Sequence, residues 1–213
     1  MSYVTGPPDA STGLVVLYDI FGMAIQTLQG ADLLATRLNS LVLVPDFFEG
    51  NYAQPEWFPT DTEEKKNAIT SFVSNEASIP RNVDTLLEIT KQYNTLFPSV
   101  SKWAALGLCW GGKVAVLASG PGTPFVATGQ VHPGRTDKTD AEKLTIPHIV
   151  LASKDEPRGK SKAIPMSSAQ MGSAATSKHT APCGMAGWEP VPTLTVKKAM
   201  LNTDEDFFEK YLK

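Results

Sequence analysis

Short unbroken apolar runs alternate along this chain with stretches whose apolar residues recur every three to four positions. Leu14-Val15-Val16-Leu17-Tyr18 and Leu41-Val42-Leu43-Val44-Pro45 are continuous apolar segments, the pattern of strands buried on both faces. Between them Leu28, Ala31, Leu34, Ala35 and Leu38 fall at helical spacing, which predicts a β-α-β unit with a right-handed crossover. Asp46 to Pro59 is aromatic and rich in Gly and Pro, and reads as a loop. Thr62 to Asn75 and Pro80 to Leu96 read as helices, the second with Pro80 in its first turn. Trp103 to Leu108 is the next apolar strand, followed by a helical pattern from Lys113 to Ala118. Phe125 to Val131 and Ile146 to Ala152 are further strands, and Asp204 to Leu212 closes the chain as an amphipathic helix. The alternation predicts one α/β domain over residues 1–213, with a mostly parallel twisted sheet covered by helices on both faces.

One segment breaks the rhythm. From Arg158 to Thr203 the chain is rich in Ser, Ala, Pro and Lys, with a period of neither two nor 3.6. A compact domain should place a helix, a strand and a last helix there, so the fold is expected to be incomplete over 158–203.

Composition narrows the function classes. The 213 residues suffice for one sizeable core, and the net charge of -3 offers no basic face for nucleic acid. No apolar run is long enough to span a bilayer, and Met1 to Pro8 lacks the regions of a signal peptide, so a cytoplasmic protein is expected. The two cysteines, Cys109 and Cys183, are expected to be reduced there rather than paired.

The run Gly107-Leu108-Cys109-Trp110-Gly111 joins a strand to a helix. A glycine two residues either side of a nucleophile is what a sharp strand-to-helix turn requires, because larger neighbours would clash. The turn presents the central side chain at a helix N-terminus, whose N–H groups favour a thiolate. Cys109 is therefore the candidate nucleophile; a buried structural cysteine is the plainer alternative.

Such a nucleophile needs a base, an orienting acid and an oxyanion hole. Asp155, in Ser153-Lys154-Asp155-Glu156 directly after an apolar strand, is the acid candidate, with an ordinary turn aspartate as the alternative. The expected oxyanion donors are the backbone N–H of Trp110, which follows the nucleophile, and that of Ile20, in the loop after the first apolar run. Asp19 would lie near the thiol and could hold or exchange its proton, or else simply cap the next helix. Phe21, Phe47, Phe48 and Trp110 are candidates to line a small apolar pocket, with core packing as the alternative.

Tyr18-Asp19-Ile20-Phe21-Gly22, Pro45-Asp46-Phe47-Phe48-Glu49-Gly50, Gly107 to Gly112, Val131-His132-Pro133 and Ser153 to Glu156 occur in an order that resembles the dienelactone hydrolase family. The likeness covers residues 3–157 and the last helix. It implies an α/β-hydrolase fold and a Cys-Asp-His triad that opens enol-lactones, with Cys109 as nucleophile and Asp155 as acid. It also implies that the carboxylate at Asp19, usually a Glu in the family, keeps the resting thiol neutral. Family members usually carry a further N-terminal strand, so an incomplete sheet edge is expected here.

The triad histidine does not stand where the resemblance puts it. Of the three histidines, His132 matches a family His-Pro that is not the base. His148 lies within an apolar strand and reads as a hydrogen-bonded core residue. His179 is the remaining candidate, in surroundings, Ser177 to Pro182, that do not match the family's Met-x-His-Gly-Trp-Met-Gly-Ala-Arg-Ala-Asn-Leu. The genetic code offers an account. Read one base earlier, the codons of Pro182 to Leu194 permit Met-(Arg/Trp)-His-Gly-Trp-Met-Gly-Ala-Arg-Ala-Asn-Leu. Both glycines are forced, by Met185/Ala186 and by Trp188/Glu189. Roughly residues 158–203 are therefore expected to be read out of the ancestral frame, with the frame restored before Asp204. The lost segment should cost the fold a core strand.

The leading expectation is a hydrolase of a small-molecule ester or lactone, monomeric or weakly self-associating, that needs no metal or organic cofactor. The rival is a catalytically silent hydrolase-fold protein that binds a ligand or partner, because the histidine motif is absent as written. A redox-responsive thiol protein built on Cys109 is a third reading.

Overall fold

The structure is a computed structural model, and it describes residues 1–134, 137–152, 177–179 and 204–213. Among these, seven strands form one sheet: β1 (Ser2–Thr5), β2 (Thr12–Leu17), β3 (Leu41–Pro45), β4 (Lys102–Leu108), β5 (Phe125–Val131), β6 (His148–Ala152) and β7 (Ser177–His179). Their order is β1-β3-β2-β4-β5-β6-β7. All neighbours run parallel except β1, which pairs antiparallel to β3 with Tyr3 opposite Val44. The strands β2 and β3 are buried along their whole length, as their unbroken apolar text demands.

Among the described residues six α-helices accompany them: α1 (Ile25–Leu38), α2 (Glu63–Ser74), α3 (Ile79–Leu96), α4 (Trp110–Leu117), α5 (Lys138–Glu142) and α6 (Asp204–Leu212). The stripe Ala31, Leu34, Ala35 and Leu38 is buried, and α1 stops at Asn39, whose left-handed φ of 48° lets its N–H return to the Ala35 carbonyl. Thr62 caps α2 by accepting from the Lys65 N–H, and Glu63 and Glu64 favour the positive end of that helix. On one face α4 covers β4 and β5 and meets α3; on the other, α1 packs against α6, whose Phe208 is fully buried. The mostly parallel sheet covered on both faces thus stands as expected.

Strand β1 and helix α5 are among the elements that were not read from the sequence. Strand β1 is four residues long, and alternates exposed and half-buried positions, so it carries no apolar run. Helix α5 spans five residues and rests on a capping box between Asp137 and Asp140. The expected loss of a core strand within 158–203 is corrected in part: Ser177–His179 pairs parallel to β6, with His179 opposite Ala152. No helix among the described residues is long and apolar enough to cross a membrane.

Candidate active site

The strand-to-helix turn is as sharp as its text requires. Cys109 adopts φ 51° and ψ −108° between β4 and α4, a conformation strained for any residue with a Cβ. Its flanking glycines are sterically obligatory. A Cβ on Gly107 would lie 2.1 Å from the Gly111 carbonyl oxygen, and one on Gly111 would lie 2.6 Å from the Leu17 carbonyl oxygen. Backbone hydrogen bonds hold the strained residue: Cys109 N–H donates to Val131 O at 3.1 Å, and its carbonyl accepts from Gly112 at 3.1 Å and from Gly134 at 3.2 Å. The half-buried thiol stands at the N-terminal end of α4. A Cβ on Gly134 would come within 3.4 Å of the Cys109 Sγ, so the segment after β5 borders the sulfur.

A second turn lies beside the first. The Gly111 position abuts the carbonyls of Leu17 and Tyr18, so the end of β2 touches the start of α4. There Gly22 N–H donates to Asp19 O at 3.2 Å, and Phe21 N–H donates to Asp19 Oδ1 at 2.8 Å. With the Asp19 carbonyl turned toward Gly22, the Ile20 N–H of the same trans peptide points the opposite way. Asp19 is half-buried; burial pushes its carboxyl above the usual carboxylate range, and the Phe21 N–H partly opposes this.

His132 follows β5 with φ 37°, and its N–H donates to Leu151 O at 2.8 Å. Burial holds its imidazole below the ordinary histidine range, so it is neutral near pH 7. His148 is buried in β6. Its Nδ1 shares a 2.7 Å hydrogen bond with Thr128 Oγ1, which also meets Ser119 Oγ at 2.6 Å. The expected fully hydrogen-bonded core histidine is corrected by half, because Nε2 has no partner among the described residues. Burial drives its pKa down to about 3, which keeps an imidazole with one orphaned nitrogen uncharged.

The model of the dienelactone hydrolase family matches residues 1–180. The chain belongs to the dienelactone hydrolase family. An uncharacterized AIM2 family protein of Schizosaccharomyces pombe is 32% identical over 155 residues, 73% of this chain and 62% of that protein. A carboxymethylenebutenolidase homolog of Rattus norvegicus is 35% identical over 116 residues, 53% of this chain and 43% of that protein. The chain therefore spans less than two thirds of the length of either curated relative. In fold it resembles a dienelactone hydrolase-like promiscuous phosphotriesterase from metagenomic libraries, with TM-score 0.66, 19% identity, and 98% of this chain and 89% of that one covered.

The acid candidate Asp155 lies outside the described residues, as do Cys183 and most of 158–203. His179 is placed by its backbone on β7, next to β6. The four aromatic candidates divide. Phe47, Phe48 and Trp110 are core, at 6%, 2% and 7% exposure, and Phe48 packs 4.6 Å from the Trp110 ring. The expectation that these three line a pocket is corrected accordingly: their faces are spent on each other and on Tyr18. Phe21 alone stays partly exposed. The indole N–H of Trp110 donates to Ala77 O at 2.9 Å, which ties the start of α4 to the loop between α2 and α3.

The sequence reasoning missed what supports the second turn. Tyr18 is fully buried, and its hydroxyl accepts from Phe48 N–H at 2.9 Å and donates to Asp46 Oδ1 at 3.2 Å. Tyr52 donates to the same oxygen at 3.3 Å. In this dienelactone hydrolase relative, Tyr18 and Asp46 stand inside two of the motifs that carry the resemblance, but nothing in their spacing announces that they meet.

Proposed function

We propose that this chain is built to hydrolyse a small-molecule ester or lactone through a covalent acyl-thioester on Cys109. The observation that carries the reading is Cys109 in its strained turn at the N-terminal end of α4, in a chain of the dienelactone hydrolase family. The thiolate sulfur attacks the carbonyl carbon, and the C=O electron pair moves to oxygen. The Trp110 and Ile20 N–H groups stabilise that oxyanion. Collapse of the intermediate breaks the acyl C–O bond. The alkoxide leaves with the proton that the thiol gave up, and for a lactone it stays tethered to the acyl group. Water then attacks the thioester and releases the acid and the thiol. Asp19, with its raised pKa, holds or exchanges the thiol proton, and Asp155 orients the base.

The base itself is the weak point of the chain as written. His179 is a candidate only by its place in the sequence, and we attribute the absence of the family motif to the frame change over roughly 158–203. Sequencing the coding DNA tests this: the idea stands only if the Gly184 and Met185 codons spell a histidine codon across their boundary. A second reading, a catalytically silent hydrolase-fold binding protein, is favoured by that same missing motif, since loss of a triad member costs several orders of magnitude in rate. Turnover of an activated ester by the wild type and by Cys109→Ala separates the two. A wild-type rate well above that of Cys109→Ala supports the hydrolase; equal rates at background leave the silent protein.

A further inference from the structure

We propose that Tyr52 is a positioning residue for the Ile20 N–H, bracing the turn Asp19–Gly22 from behind; the role as an oxyanion brace rests on the hydrolase reading above. The turn's own hydrogen bonds set its internal shape, but not its place beside α4. Contacts with the segment 46–53 do that. Before the turn, Tyr18 Oη accepts from Phe48 N–H at 2.9 Å. Within it, the Ile20 carbonyl accepts from Ala53 N–H at 3.0 Å. At its end, the ring of Tyr52 occupies the space that a Gly22 side chain would need: a Cβ there would lie 2.1 Å from Tyr52 Cδ1 and 2.2 Å from Cε1.

Gly22 has φ 74°, the left-handed backbone that favours glycine, so the turn can close with the ring pressed on its Cα. The ring is in turn anchored through its hydroxyl to Asp46, the carboxylate that also holds Tyr18. One carboxylate thus ties both ends of the turn to one strap. Asp19 O is engaged by Gly22 within the turn and Ile20 O by Ala53 from outside it, so the turn's own bond sets which way the Ile20 N–H points, and the strap some thirty residues away in sequence sets where that turn sits. An oxyanion donor acts only if its direction is fixed before the charge develops.

Full-length wild type, Tyr52→Phe and Tyr52→Ala are compared by amide hydrogen exchange, by turnover of an activated acetyl ester, and by the rate of Cys109 alkylation with iodoacetamide. Tyr52→Ala should speed exchange in residues 19–24 by about tenfold or more while leaving β3 protected. Its kcat should fall by about a hundredfold with KM and alkylation within about twofold, because alkylation uses the thiol and no oxyanion donor. Tyr52→Phe keeps the ring over Gly22 and should show about a fivefold effect on exchange and kcat, which carries the test should Tyr52→Ala not fold. Unchanged exchange at 19–24 in both variants overturns the proposal, as does a parallel fall of kcat and alkylation. Wild-type turnover no faster than that of Cys109→Ala would instead overturn the hydrolase reading, and the exchange measurement would then decide the brace alone.

Discussion

Two tight turns lie side by side at the C-terminal ends of the neighbouring strands β2 and β4, and they are held by different means. The turn at Cys109 is held by the absence of side chains. Gly107 and Gly111 let backbone meet backbone at distances no Cβ tolerates, and main-chain hydrogen bonds to Val131, Gly112 and Gly134 hold Cys109. The turn at Asp19 adds side chains to its main-chain bonds. Two carboxylates, two tyrosine hydroxyls and an aromatic ring support it, and all of these but the Asp19 carboxylate come from outside the turn. The first kind of support cannot yield gradually: a methyl group either fits or does not. The second is a set of separable contacts that can be weakened one at a time. A nucleophile whose position must not vary and a donor whose direction must be tuned would call for that division.

Substitutions probe the contrast in descending order of effect. Gly111→Ala places a Cβ 2.6 to 2.7 Å from three atoms of Leu17 and Tyr18, all but one of them backbone. It should cost more than about 4 kcal/mol, since neither element can shift without breaking the sheet, and thermal unfolding should move down sharply or the chain should not fold. Gly22→Ala meets a side chain and a left-handed φ instead, so the ring can give way; a cost of about 2 kcal/mol is expected. If the two cost the same, the contrast between backbone and side-chain support fails. Tyr18→Phe removes the acceptor for the buried Phe48 N–H and should cost about 1 to 2 kcal/mol in denaturant unfolding.

Asp19→Asn should have the smallest effect on stability and a visible one on the thiol. The folded carboxyl titrates above its unfolded value, so the native state binds more protons in that window. Its favourable contribution is complete below the unfolded value and is lost as pH rises through the folded one. Asparagine removes that loss, so the variant should be slightly the more stable at pH above the folded value. Without the ionised carboxylate the Cys109 thiolate should form at lower pH, read as a shift in the pH profile of alkylation. An unshifted profile would remove Asp19 from the thiol's surroundings.

The same contrast explains what was legible in the sequence. The glycines and the cysteine of the turn at Cys109 fall within five positions, so Gly-x-Cys-x-Gly between a strand and a helix revealed it, although Leu17, Val131 and Gly134 also hold it. Strand β3 and helix α6 were legible to the residue because a continuous apolar run and a helical stripe are local signals, and β5 was legible over the same bounds. The brace was not, because Tyr18, Asp46 and Tyr52 each look ordinary until the β2-α1-β3 crossover brings them together. Aromatic residues were visible but their use was not: Phe48 and Trp110 read equally as pocket lining or core, and only burial decides. His148 in an apolar strand was legible as core, while its orphaned Nε2 depends on a geometry that spacing does not carry. The base side has no comparable local text, since the chain from Arg158 to Thr203 departs from both periodicities.

The central claim, a nucleophilic Cys109 held for attack on an ester carbonyl, is tested most directly by mass spectrometry after brief exposure to an activated acetyl ester. The account predicts one acetyl group per chain, on the peptide bearing Cys109, formed faster than on Cys183 and absent from Cys109→Ala, whether or not a base is present to complete turnover. No adduct on Cys109, or equal labelling of the two cysteines at the rate of a simple thiol, would contradict it.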